Sequence, residues 1–155
     1  MRTEKGINPM VIGIFGESCT GKTTLAHLLH QAIGGEIYAG KDYLRLAKNQ
    51  SMAGMLFEKK LRDAVSGEHI IYVITEKAHL SMLPQGAIRI LATAELDQIK
   101  ERFAMRLQGA LPRGVEAMLE RKHGCFDDVA CDIHWASGEC TPEEICRKIQ
   151  QMVGD

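Results

Sequence analysis

Residues 11–29 read Val-Ile-Gly-Ile-Phe-Gly-Glu-Ser-Cys-Thr-Gly-Lys-Thr-Thr-Leu-Ala-His-Leu-Leu, and this stretch limits the folds open to the chain more than any other. Met10 to Phe15 is a short apolar run with the character of a buried strand. Thr23 to Ile33 carries Leu25, Leu28, Leu29 and Ala32 at helical spacing. Between them lies G-x-x-x-x-G-K-T, Gly16 to Thr23. The glycines let the backbone turn its N–H groups inward as an anion nest, and the helix that follows adds its positive end. Phosphate is the expected guest, cradled by Gly16, Glu17, Ser18, Cys19, Thr20 and Gly21, with Thr24 beside them. Lys22, read as a point charge on an exposed loop, is expected to reach the β- and γ-phosphates of a nucleoside triphosphate. The Thr23 hydroxyl is placed to coordinate Mg²⁺.

A chain of 155 residues has room for one domain with a real core, so residues 1–155 are expected to form one unit. Apolar residues at 45% and charged residues at 25% are ordinary for a globular protein. A net charge of −1 argues against a surface built to hold nucleic acid or anionic membrane. No apolar run approaches the roughly twenty residues of a membrane span, and the opening MRTEKGINP lacks the apolar stretch of an export signal, so a cytoplasmic location is expected. Five cysteines, Cys19, Cys125, Cys131, Cys140 and Cys146, then read as reduced thiols. His123, Cys125, Cys131 and His134 offer metal-binding side chains, but no C-x-x-C pair anchors them and a predicted strand runs through Cys131, which argues against zinc.

Along the chain, strands are predicted at Glu36–Tyr38, His69–Thr75, Ala87–Thr93 and Asp128–Trp135, in addition to the first. Helices are predicted at Lys41–Asn49, at Met52–Gly67 with Met55, Leu56, Leu61 and Val65 for one buried side and Gly67 as its stop, at Ala94–Arg106 and at Val115–Gly124. Thr141-Pro142-Glu143-Glu144 caps a last one running through Val153. Leu107–Gly114, with two glycines and a proline, is the clearest interruption. The alternation predicts an α/β three-layer fold: a five-stranded parallel sheet with helices on both faces. Ligands of such sheets bind beyond the carboxyl ends of the strands, which gathers Gly16–Thr23, Asp42, Glu76 and the arginine-bearing segment around one crevice.

The loop and the segments that follow it resemble the nucleoside monophosphate kinase group of P-loop proteins, which includes adenylate, cytidylate and shikimate kinases. Ala39–Arg45, AGKDYLR, is similar to a segment whose arginine grips the acceptor phosphate. That likeness implies acceptor binding for Arg45, and Mg²⁺ or acceptor binding for Asp42. Ile90–Arg106 is similar to the strand and helix that end in arginines before the lid. Arg102 would stack on the donor base and Arg106 would contact the donor phosphates. Residues 107–122 would be a short lid delivering Arg113 and Arg121, with few apolar residues to bury, and Ser137 and Gly138 would meet the base through their backbone.

The resemblance implies a small kinase, a cytidylate kinase-like enzyme among the options, using ATP and Mg²⁺ on a small-molecule acceptor as a monomer or homodimer. Lys22, Arg106 and Asp42 would be its catalytic residues. The chain departs from the group in three places. The strand ending at Thr75 has no terminal aspartate, leaving Glu76 as the acid that would hold Mg²⁺ through water. The segment TEKAHL lacks the second acceptor arginine, leaving Lys77, and the triple glycine of shikimate kinases is missing. A nucleotide-binding regulator without an efficient acceptor site is therefore the alternative. A motor or switch GTPase is disfavoured by the missing Asn-Lys-x-Asp and the short chain.

Overall fold

The computed structural model describes residues 10–66 and 69–152. Residues 1–9, Gly67, Val153 and the side chain of Val65, all used in the sequence reading, lie outside the described residues. Five parallel strands, β1 (Val11–Phe15), β2 (Glu36–Ala39), β3 (Ile70–Ile74), β4 (Ile88–Thr93) and β5 (Ile133–Ala136), lie in the order β2-β3-β1-β4-β5. β1 and β3 are buried along their whole length because both of their faces are covered. Ile12 and Ile14 of β1, Ile71 and Val73 of β3 and Ile88 and Ile90 of β4 pack against Leu25 and Leu29 of α1 (Lys22–Ile33) and Ile145 and Ile149 of α5 (Pro142–Met152). Val11, Phe15, Ile70, Tyr72, Ile74 and Leu91 point to the other face, where Ala53, Phe57 and Leu61 of α2 (Gln50–Arg62) cover them at the i, i+4, i+8 spacing of one helical stripe. No helix among the described residues is long and apolar enough to cross a membrane.

Met55 and Leu56, expected on the buried side of α2, are exposed instead, because the stripe that faces the sheet is Ala53, Phe57 and Leu61. Three further expectations change. The first predicted helix after β2 is a single 3₁₀ turn, Asp42–Leu46. Ala47 is fully extended (φ −158°, ψ 162°), and Asn49 then caps α2, its Oδ1 accepting from the Met52 N–H at 3.1 Å. The strand predicted from Asp128 begins only at Ile133. Residues 123–129 form turns that bring Phe126 under the sheet, 1% exposed and 5.8 Å from the Phe15 ring. Asp132 then closes the strand's start, accepting the Arg89 N–H and donating its own to the Arg89 carbonyl, both at 2.8 Å. Cys131 is thus outside the strand, and no three His, Cys, Asp or Glu side chains gather to hold a metal among the described residues.

The third change concerns residues 107–122. After α3 (Leu96–Arg106) the chain passes through Gln108, in the left-handed region at φ +61°, and enters α4 (Arg113–Lys122). Leu119 is buried against Cys19, Ala94 and Ile99, with Val115, Met118, Phe103 and Leu111 packed around them. Lys100 pairs with Glu120 at 2.6 Å and Glu116 at 3.2 Å. The segment therefore does bury an apolar stripe, and α4 is a docked helix. Its loop, Leu107–Pro112, is the loosely held part.

Candidate active site

The loop after β1 is wedged between two neighbours. Gly16 has φ +155°, and a Cβ there would stand 2.2 Å from the Ala92 carbonyl oxygen; Gly21, at φ +96°, would meet the Trp135 ring at 3.0 Å. Only glycine satisfies both the dihedrals and the space. Cys19 bears a side chain at φ +63°, 5% exposed. Cys19→Gly should cost about 1 kcal/mol, because relief of the left-handed strain offsets the added freedom of the unfolded chain but not the loss of the buried contacts with Ala94, Ile99 and Leu119. Cys19→Val should cost about 1–2 kcal/mol, since a β-branched residue tolerates that region worst. Thermal melting without nucleotide measures both.

Lys22 is buried, 5% exposed, which corrects its reading as a charge on an exposed loop. Its Nζ donates to the Glu17 carbonyl at 2.5 Å and lies 3.4 Å from Thr20 Oγ1, which itself donates to the Glu17 carbonyl at 2.9 Å. Burial pulls the ammonium pKa from 10.5 down to about 8; the Arg106 charge adds to the fall, while Cys19 and Glu17 oppose it.

Two cavities open from this loop. One, of about 340 Å³, is walled by Ser18–Thr24, by Ala39 and Gly40 at the β2 end, by Val73 and Thr75 at the β3 end, and by Arg106. Gly40 in this wall is held by the Tyr72 hydroxyl, which donates to its carbonyl at 2.7 Å. The other, of about 610 Å³, shares Cys19–Gly21, Thr24 and Arg106 and runs between Arg102, Trp135, Gly138 and Pro142. Arg102 lies along it, donating to the Cys19 carbonyl at 3.0 Å and to Ser137 Oγ at 2.8 Å. Trp135 and Pro142, read in the sequence only as a strand end and part of a helix cap, line it as well. Trp135 acts here through the turn that takes its indole N–H to the Cys140 carbonyl at 2.9 Å.

Lys22, Thr23, Thr24, Arg102, Arg106 and Gly138 thus all line one or the other of the two adjoining cavities. The acceptor-side residues do not. Asp42 Oδ2 accepts from the Ala39 N–H at 2.9 Å, and the Arg45 guanidinium sits 4.4 Å above the Tyr38 ring. Lys77 pairs with Asp128 at 2.9 Å. Glu76, Arg113 and Arg121 are exposed and line neither cavity. The Glu17 carboxylate faces away from the nest, towards His123 and Gly124.

The residues present fit a nucleoside triphosphate. A buried ammonium spends its bonds on a backbone carbonyl at the bottom of a glycine nest, a second cation stands at the rim, and the adjoining cavity has the size and mixed lining of a small-molecule site. One loop hydroxyl, Thr23, beside phosphate is the usual sparse protein contribution to Mg²⁺, which keeps several waters.

No family model matches this chain, and no curated protein matches it. Solved structures do. Shikimate kinase from Acinetobacter baumannii, in complex with shikimate, superposes with a TM-score of 0.63 at 14% identity, over 94% of this chain and 93% of that one. The YorR protein of Bacillus subtilis, in complex with phosphorylated GDP, gives 0.62 at 21% identity over 93% and 95%. A gluconokinase from Sinorhizobium meliloti 1021 gives 0.57 at 11% identity over 95% and 93%. The chain has the P-loop kinase fold.

Proposed function

We propose that the protein is a small ATP-dependent kinase, transferring the γ-phosphoryl of ATP to a small-molecule acceptor. The observation that carries this reading is the cavity lined by Lys22, Thr23 and Arg106, which shares Cys19–Gly21, Thr24 and Arg106 with the larger cavity beside it and is walled on another side by the ends of β2 and β3. Phosphoryl transfer has a loose transition state, so alignment and charge around the moving group supply most of the catalysis. Lys22 and the loop amides neutralise the β- and γ-phosphates. Arg102 orients the base, and Arg106 bridges the two cavities. Mg²⁺, held through Thr23, would screen the phosphate charge. Asp42 and Arg45 would hold the acceptor and Arg113 and Arg121 would come in from the lid, each after leaving its present position. Five unpaired thiols suit a reducing cytoplasm, and a monomer or homodimer without nucleic acid or membrane partners suits the near-neutral charge.

One observation favours the regulator as a second reading: Asp42, Arg45 and Lys77 are each engaged within the protein rather than directed into the crevice. ADP release measured against nucleoside monophosphates, cytidylate first, and against sugars and hydroxy acids separates the two. Acceptor-dependent ADP formation supports the kinase. Tight ATP binding with no acceptor dependence across the panel overturns it in favour of the regulator.

A further inference from the structure

The Glu17 side chain has no task in the chemistry proposed above, yet it is only 9% exposed. Its Oε2 accepts from the Gly124 N–H at 2.9 Å and its Oε1 meets His123 Nδ1 at 3.1 Å, 107 and 106 residues away in sequence. His123 and Gly124 follow directly on the last residue of α4, and Gly124 turns at φ +79°, aiming its N–H back at the loop. The backbone carbonyl of the same Glu17 holds the Lys22 ammonium and the Thr20 hydroxyl. One residue therefore grips the ammonium with its main chain and the carboxyl end of α4 with its side chain.

We propose that Glu17 is a positioning residue that couples the carboxyl end of α4 to Lys22. Incoming phosphates draw the ammonium off the Glu17 carbonyl. The side chain, anchored by a bond between a carboxylate and a backbone N–H in a nearly closed site, keeps the loop in register and carries its adjustment to the end of α4. This inference rests on the reading of the loop as an ATP site.

ATP with Mg²⁺, without acceptor, is the probe, read by amide exchange over residues 118–124 and by calorimetric affinity. In the wild type ATP slows exchange there, although the phosphate cavity does not reach these residues. In Glu17→Ala that protection disappears and ATP binds about tenfold more weakly, whereas Glu17→Gln, whose amide oxygen still accepts from Gly124, keeps the protection and binds within about threefold of wild type. ATP-dependent protection of 118–124 that persists in Glu17→Ala overturns the proposal. Should Glu17→Ala not fold, Glu17→Met, which fills the same space but cannot accept from the Gly124 N–H, takes its place, and undiminished protection there has the same meaning. A wild-type chain that binds no ATP overturns the functional reading and this one together; ATP binding with unaltered coupling in the variants overturns this one alone.

Discussion

Replacing Lys22 with methionine should abolish ATP turnover and, without nucleotide, raise the melting temperature. Methionine keeps most of the buried stem, which makes the contacts, and removes the ammonium, which carries the cost. Burial that draws the pKa from 10.5 to about 8 corresponds to about 3 kcal/mol against the charged form. The bond to the Glu17 carbonyl is lost with the ammonium, so a net gain of about 1–2 kcal/mol, or a few degrees, is expected. The pH dependence checks the cause. Between pH 8 and 10.5 the unfolded chain holds a proton on Lys22 that the native chain has released, so wild-type stability should rise with pH across this window. Below it the lysine is protonated in both states and contributes no slope; in Lys22→Met the rise is absent. ATP needs the ammonium, so affinity should fall above pH 8, by up to about tenfold per pH unit. Lys22→Arg should also fail, because a planar fork does not fit where an ammonium sits 2.5 Å from a carbonyl. Fluorimetric melting and ADP release measure these outcomes, and a Lys22→Met protein that turns over ATP removes the loop from the mechanism.

What could be read from the sequence was what is local. Val11–Phe15, the glycine spacing and the helix after it are one continuous pattern, and Arg102 and Arg106 fall on one helical face by their spacing alone. The packing around that loop is not local: Ala92 of β4 closes on Gly16 and Trp135 of β5 on Gly21. The contact of Glu17 with Gly124 spans most of the chain and leaves no periodicity to detect. Val129–Cys131 has the composition of a strand, but the burial of Phe126 under the sheet holds the residues that follow it away from the ladder, so β5 starts at Ile133 and not at Asp128. The stripe of Leu111, Val115 and Leu119 was present at i, i+4 spacing, but its partner, the flank of α3 with Cys19, exists only in the folded state.

Arg106→Ala and Arg45→Ala should then separate kinetically. Arg106 belongs to the walls of both cavities and its charge is felt by Lys22, so its removal strips the phosphate site of a cation that acts most strongly when charge develops there. A fall in kcat of about 10²–10³ with little change in the acceptor KM is expected. The same variant carries an electrostatic signature: with Arg106 gone, the Lys22 pKa rises, and the alkaline loss of ATP affinity moves to higher pH. Arg45 is different. It now covers the Tyr38 ring and reaches the acceptor only by leaving it, so Arg45→Ala should raise the acceptor KM and lower kcat little, with a loss of up to about 1 kcal/mol in stability from the uncovered ring. Arg45→Lys keeps the charge without the stacking plane and should recover part of the KM. If instead Arg45→Ala shifts only the melting temperature, Arg45 is a lid on Tyr38 and the acceptor is held elsewhere. If Arg106→Ala leaves both kcat and the alkaline limb unchanged, the two cavities are not joined by that side chain.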